Sequence, residues 1–470
     1  MNTAAVQVPR TDSRFSEFIG SDVQGRLHIE QCPARDLVER FGSPLYVTSE
    51  NQIRHNYRHF VRAFTERYPE NQVIVLYALK ANNNLAIRRI FHQEGAGCDC
   101  FGVAELWATF TGGADPAKVV LNGSNKSEDE LREAVRLAVT VTVDCVEELE
   151  MLNAIALSSG RKVPIHLRLK PRLEGFDGVF GMFSDEIDVS RVVESWKWGM
   201  TFNEALTTAR RAQGMRGVEL VGLHCHIGRQ TGEASPYGAQ VRAVVAQATT
   251  LREQTGWTPR VFDLGGGFAH GRDPEGRQSV AHVPPIEEFA ATLSAALRAE
   301  LAAHRFPPPV IELEPGRFLI GNTTVLLATV GVVKRTPELG RVWVNLDCST
   351  NQLTRIMSRG DYYHIVAAEK LNEPATEQVE VVGPLCMPDV LGSGRMLPPL
   401  QRGDLVTFLD AGMYAETTSS QFNGQPRPAT VLVQGAEAEI IKTRETIEDV
   451  FYHHHIPARL GGIDRTCARQ

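Results

Sequence analysis

The chain has 470 residues, of which 43% are hydrophobic and 22% charged, and a formal net charge of -7. Its length exceeds one ordinary domain and its composition is that of a soluble globular protein, so two domains are expected. The acidic balance argues against a nucleic-acid partner, no stretch has the apolar length of a membrane span, and Met1 to Arg10 holds no hydrophobic signal core, so a cytoplasmic protein is expected.

In chain order, a short strand-like run around Leu27–Ile29 comes first, before Pro44. Beyond it, β-rich runs alternate with amphipathic ones. The predicted strands are Val73–Lys80, Gly97–Phe101, Lys118–Asn122, Val139–Asp144, Pro164–Lys170, Glu219–Ile227, Val261–Leu264 and Val310–Glu314. Between them lie the helical patterns Ala104–Phe110, Ser127–Leu137, Val146–Ser158, Phe202–Ala212, Tyr237–Thr255 and Ile286–His304, with Ser127 and Glu130 forming a capping box. Eight strand–helix alternations predict a TIM-type (β/α)8 barrel. An open doubly wound sheet would explain the alternation, but not the polar groups at nearly every strand end. The stretch Arg172–Met200, with Trp196 and Trp198, is long for a barrel connection and reads as a lid or substrate-facing insertion. After Arg317 the runs Thr324–Lys334, Arg341–Asp347, Glu377–Val382, Leu405–Leu409 and Ala429–Val433 predict an all-β domain. The expected division is a barrel over residues 45–320 and a discontinuous β-rich domain from residues 1–44 and 321–470.

The eight cysteines are scattered, which fits free thiols in a reducing compartment. Cys98-Asp99-Cys100 has the wrong spacing for a zinc pair, and His453-His454-His455 reads as a solvated or interface helix end. No metal is expected.

A lysine closing an apolar strand before a loop sits where barrel enzymes keep their chemistry. The predicted strand ends carry Lys80, Asp99, Asn122-Gly123-Ser124, His224-Cys225-His226-Ile227-Gly228, Gly265-Gly266-Gly267 and Glu314-Pro315-Gly316-Arg317. Each has a plainer use: a surface lysine, a core histidine, a flexible turn, an ion pair. Together they supply an amine, carboxylates, an imidazole and an anion site of glycine amides and Arg317. That is the set required by pyridoxal 5'-phosphate.

With Tyr77-Ala78-Leu79-Lys80-Ala81-Asn82, Gly222-Leu223-His224-Cys225-His226-Ile227-Gly228, Asp263-Leu264-Gly265-Gly266-Gly267-Phe268, Glu314-Pro315-Gly316-Arg317 and Pro426-Arg427-Pro428, the chain resembles the fold-type III pyridoxal-phosphate decarboxylases. This is the diaminopimelate and ornithine decarboxylase family, and the resemblance runs from about Pro44 to Asp449. Leu121-Asn122-Gly123-Ser124-Asn125-Lys126-Ser127 and Arg444-Glu445-Thr446 point to the diaminopimelate branch. The resemblance implies an alanine racemase-like barrel in which Lys80 holds the cofactor aldehyde and Asp99 pairs with that lysine. It implies that His226 stacks on the pyridine ring and Glu314 binds the ring nitrogen. Gly265, Gly266, Gly267, Gly316, Arg317 and Tyr414 would surround the phosphate. Cys386 would reach into the partner subunit's site and donate a proton, which implies a homodimer with shared sites. Arg355 would bind a distal carboxylate on a small amino-acid-type substrate, and Arg317 is also expected to contact the substrate. Met387, Asp389 and Arg359 complete the expected substrate side.

The substrate side departs from the family. Met387 stands where a glutamate commonly holds a distal ammonium, and a thioether is a weak acceptor. Arg359 and Phe422 stand at positions often held by tyrosine, and Arg229 replaces a small serine. These changes predict a decarboxylase of specialised specificity, acting on a carrier-bound glutamyl group, a siderophore intermediate or another amino acid. The alternative is a meso-diaminopimelate decarboxylase of lysine biosynthesis. A racemase on the same barrel would place arginine at the ring nitrogen, against Glu314. A non-catalytic regulator would not need Lys80, Cys386 and Glu314 together.

Overall fold

The computed structural model describes residues 15–171, 173, 196–228, 232–272 and 283–461. Arg229, Cys467, Met1 to Arg10 and all of the 172–200 stretch but residues 173 and 196–200 lie outside them.

Eight parallel strands close into a barrel: β1 (Val73–Ala78), β2 (Gly97–Phe101), β3 (Val119–Asn122), β4 (Thr140–Val143), β5 (Val163–Arg168), β6 (Val218–His224), β7 (Val261–Asp263) and β8 (Val310–Leu313), with β8 pairing back onto β1. The barrel expectation holds and the open-sheet alternative falls, because closure leaves no edge strand. Helices follow the predicted patterns. Glu128–Leu137 starts at the Ser127–Glu130 capping box, and Val146–Ser158 has the predicted bounds. Their apolar faces join the barrel in one large core. Within it Phe268 stacks on Tyr237 at 4.6 Å, and the Tyr237 hydroxyl donates to Gly266 O at 3.0 Å, so core packing fixes the glycine turn from behind.

The strand ends are shorter than predicted, most usefully at Lys80. β1 stops at Ala78, and Leu79–Ala81 forms a 3-10 turn. Side groups there replace the ladder: the Tyr77 hydroxyl donates to Asn82 O at 2.8 Å and Tyr414 N–H donates to Ala81 O at 2.7 Å. Lys80 is therefore carried above the barrel rim on a turn that is tied down at both ends.

The second layer is a nine-stranded sheet. Its main path runs Val390–Leu397, Glu377–Val382, Arg341–Leu346, Thr324–Thr336, Leu45–Ser49, Ala429–Gln434 and Glu437–Lys442; Leu405–Phe408 and Ile365–Ala367 branch from Thr324–Thr336. Leu45–Ser49 is fully buried between Thr324–Thr336 and Ala429–Gln434, so the sheet takes its central strand from the barrel side of the boundary at residue 45. The run Leu27–Ile29 joins Ile19–Ser21 and Cys32–Pro33 in a small antiparallel sheet whose apolar residues pack against Leu45 and Val47.

Candidate active site

Lys80 Nζ lies 2.8 Å from Asp99 Oδ2, and 4.6 Å above the Phe101 ring. Burial works against the Lys80 charge, but the Asp99 and Glu314 carboxylates outweigh it and hold the ammonium above its ordinary range. Burial, then the neighbouring Glu314 charge, pushes Asp99 up, while Lys80 and Asn122 pull it down.

Glu314 follows directly on β8 and is buried. Asn122 Nδ2 donates to it at 2.7 Å, and His224 Nε2 stands 3.4 Å away. Burial lowers His224 well below the usual imidazole range, so it approaches Glu314 as a neutral ring. His226 is pushed down to about 3 by burial. Its Nδ1 accepts from Gly266 N–H at 3.0 Å, which leaves the proton of the neutral ring on Nε2.

The glycine turn is made by close backbone approach. A Cβ on Gly266 would lie 2.1 Å from Glu314 O, one on Gly265 2.5 Å from His226 Nδ1, and one on Gly316 2.8 Å from Ala81 Cβ. Gly267 has φ +97°. Glycine is thus required for the turn, His226, Glu314 and the Lys80 turn to meet. Next to them two guanidinium groups approach the Tyr414 ring, Arg317 at 5.6 Å and Arg355 at 5.0 Å, and Arg355 Nε also donates to Asp361 at 2.6 Å. Sequence-predicted residues from both domains thus converge at one mouth: Lys80, Asp99, His226, Glu314, the glycines, Arg317, Arg355 and Tyr414.

A cavity of about 250 Å³ opens there, walled by Lys80, Phe101, Asn122, Arg168, Trp196, Trp198, His224, His226, Gly228 and Glu314. The described end of the long 172–200 connection therefore faces the site. One layer down, His166, Asp263 and Glu312 meet in the barrel interior. Burial pushes Glu312 up to about 8 and His166 down to about 3, so both are driven to their neutral forms.

The remaining substrate-side residues sit differently. Asp389 was expected at the substrate. Its buried carboxylate instead accepts from Thr350 N–H at 2.8 Å, the Thr350 hydroxyl at 2.7 Å and Leu385 N–H at 3.0 Å. It fastens the Cys386 loop to the Ser349–Gln352 turn, a structural role in place of the expected substrate contact. Cys386 is exposed, with its N–H on Asn423 Oδ1 at 3.1 Å. Met387 is half-buried, and Arg359 is exposed at the end of the short helix Arg355–Arg359. Sequence reasoning placed Asn122 and His224 at strand ends and Trp196 and Trp198 in a substrate-facing insertion without giving any of them an individual role, and it did not single out Arg168. The available signal was a buried amide and imidazole at strand ends, which the barrel's stagger then brings together across its mouth.

The profile described as "Pyridoxal-dependent decarboxylase, pyridoxal binding domain" matches residues 50–321, more than half of the chain. A diaminopimelate decarboxylase of Methanothermobacter thermautotrophicus is 34% identical over 93% of this chain and 97% of its own length. One of Archaeoglobus fulgidus is 32% identical over 93% and 99%. The crystal structure of diaminopimelate decarboxylase from Methanocaldococcus jannaschii in complex with L-lysine superposes with a TM-score of 0.85 at 29% identity, covering 94% of this chain and 99% of that one.

Pyridoxal phosphate fits the residues present. Lys80 could take its aldehyde, His226 could present a neutral ring and Glu314 could accept from the ring nitrogen, while the glycine turn, packed too closely on His226 and Glu314 to admit a Cβ, stands beside them. By sequence, fold and site, the chain belongs to the pyridoxal-dependent decarboxylase family, on its diaminopimelate decarboxylase branch, and is a pyridoxal-phosphate-dependent carboxy-lyase.

Proposed function

We propose that this enzyme removes the α-carboxylate of meso-diaminopimelate as carbon dioxide, as a cytoplasmic homodimer. The reading is carried by the complete cofactor-side site, centred on the Lys80–Asp99 pair beside buried Glu314, in a chain whose relatives of about one-third identity are named diaminopimelate decarboxylases. Pyridoxal phosphate supplies an aldehyde that captures the substrate amine and a ring that withdraws the electron pair left at Cα as carbon dioxide departs. Lys80 would hold the cofactor, with Asp99 placing the lysine, Glu314 would accept the hydrogen bond of the ring nitrogen, and His226 would lie against the ring. Arg355, which shares the Tyr414 ring with Arg317, supplies positive charge for a distal carboxylate. Exposed Cys386 donates the proton to Cα in the partner subunit's site. Among the described residues no helix is long and apolar enough to cross a membrane.

Met387 favours a second reading, a specialised decarboxylase whose substrate lacks the distal amine, including one presented on a carrier protein. Both Met387, which cannot hold an ammonium, and Asp389, locked into its loop, leave that end without a carboxylate. Carbon dioxide release is to be measured across meso-diaminopimelate, lysine, ornithine, arginine, glutamate and carrier-bound glutamate. Efficient turnover of meso-diaminopimelate alone establishes the first reading, and preference for a substrate without the distal amine replaces it with the second.

A further inference from the structure

Asn122 ends β3 and is 1% exposed, at the register position beside Phe101 on β2. Its one amide nitrogen makes two short bonds, 2.6 Å to Asp99 Oδ1 and 2.7 Å to Glu314 Oε1. An unbroken path therefore runs from Lys80 Nζ through Asp99 and Asn122 to Glu314, spanning the two ends of the cofactor site. With both carboxylates ionised the amide nitrogen must face them, since a flipped group would set its oxygen against two anions.

We propose that Asn122 is a positioning residue that keeps both carboxylates ionised, so that Asp99 stays the partner of Lys80 while Glu314 stays an acceptor for the ring nitrogen. Two buried carboxylates this close repel, and the ordinary relief is for one to retain a proton, or for the two to share one. A proton on Glu314 would remove the acceptor for the ring N–H. One on Asp99 would free Lys80 from its anchor. The Asn122 amide has two hydrogens and no charge, so it can bind both anions at once and favours the doubly ionised state. Other groups face the pair. His224 and His226 are held neutral by burial, and Asp263 and Glu312 are pushed up by burial and by the Glu314 charge. Glu105 faces Asp99 and is likewise raised. Lys80 draws on both carboxylates by charge, and touches Asp99.

The inference rests on the decarboxylase reading, because it assigns Glu314 to the ring nitrogen. It is tested by a pH titration of the visible absorption of the cofactor-loaded protein. The natural protein should keep one spectrum across neutral pH. Asn122→Leu keeps the size and removes the donor; Asn122→Asp keeps the shape and adds a negative charge. Both should bring a spectral transition into that range, displaced by about one pH unit or more. Asn122→Ser, with one donor, should displace it less. Folded, loaded Leu and Asp variants with the natural titration overturn the proposal even if turnover falls, since a packing role would lower turnover or melting temperature without moving the titration. Where these variants do not fold or load, the natural protein decides. A transition of its own at neutral pH shows that the site does not keep a single protonation state with Asn122 in place, which also overturns the proposal. Natural protein with no visible band that borohydride fixes to Lys80 is a distinct failure: it defeats the decarboxylase reading, and this inference with it.

Discussion

Gly266→Ala should disable the site although it adds one methyl group. The new Cβ would sit 2.1 Å from Glu314 O and 2.9 Å from Glu314 C, both backbone atoms that cannot swing aside. Relief requires the glycine turn and the Glu314 strand end to part by about 1 Å, and overpacking of this kind costs about 1–3 kcal/mol. The movement would strain three contacts at once: Gly266 N–H to His226 Nδ1 at 3.0 Å, the Tyr237 hydroxyl to Gly266 O at 3.0 Å, and Glu314 N–H to Gly265 O at 2.8 Å. His226 and Glu314 would shift relative to Lys80, and a displacement of about 1 Å near the reacting centre can cost about 100-fold in rate. Titrating the cofactor-free protein with pyridoxal phosphate by absorbance should show affinity lowered about 5- to 150-fold, if the strain falls on binding. Carbon dioxide release should fall about 100-fold. Gly214→Ala is the control, because its Cβ would meet only Arg211 O at 3.5 Å, an ordinary contact. Natural affinity and turnover in Gly266→Ala would refute the idea that backbone contact between the turn and Glu314 aligns the cofactor groups.

Lys80→Ala should abolish the visible band of the holoenzyme, and borohydride should fix the cofactor to the peptide containing Lys80; labelling at Lys126 or Lys170 would show a wrong anchor. Inactive Lys80→Ala and Cys386→Ala proteins, mixed and allowed to exchange subunits, should recover partial activity through one intact shared site, and no recovery despite demonstrated exchange would contradict sharing. Met387→Glu should raise activity on meso-diaminopimelate relative to substrates without the distal amine, while Arg355→Ala should weaken binding of the true substrate by about 1.5–3 kcal/mol, read as a higher KM; a Met387→Glu enzyme with unaltered preferences would make Met387 mere packing. Burial pushes Glu105, which accepts from Phe101 N–H at 2.7 Å, up to about 7. The folded protein then binds that proton more tightly than the unfolded chain, so stability is lost as pH rises from about 4.5 to about 7, by up to about 1.4 kcal/mol per unit. Thermal midpoints of Glu105→Gln should vary less over that window, and an unchanged profile would refute the assignment.

The barrel was legible because each strand is a short apolar run ended by a polar or glycine break, and such runs survive any detail of register. The sheet was less so. Val390–Leu397 contains Gly392-Ser393-Gly394, which reads as a turn, yet it pairs with Glu377–Val382 through register shifts at that point. Leu45–Ser49 was hidden because it runs directly into the helix Glu50–Thr65 with no loop between. At the site, Lys80, His226, Glu314 and the glycines stood out because each belongs to a contiguous motif, and Asp99 because it lies toward the end of a predicted strand. Asn122 joins residues from β2 and from beyond β8, a contact set by stagger around the barrel, which spacing along the chain does not encode. Asp389 misled for the opposite reason. Its place near Cys386 suggested a ligand, whereas its left-handed backbone (φ +46°) and three donors make it the knot of that loop.

The central place of Leu45–Ser49 in the sheet sets an order of events during synthesis. This strand leaves the ribosome early, but its two neighbours, Thr324–Thr336 and Ala429–Gln434, are made only after the barrel and near the end of the chain. Residues 50–321 can collapse around their own core while the strand waits with both edges bare. An apolar strand held open for most of translation is a site for chaperone capture or for pairing with another nascent chain. Loss of the segment from residue 429 onward would leave a finished barrel attached to a sheet that can never close.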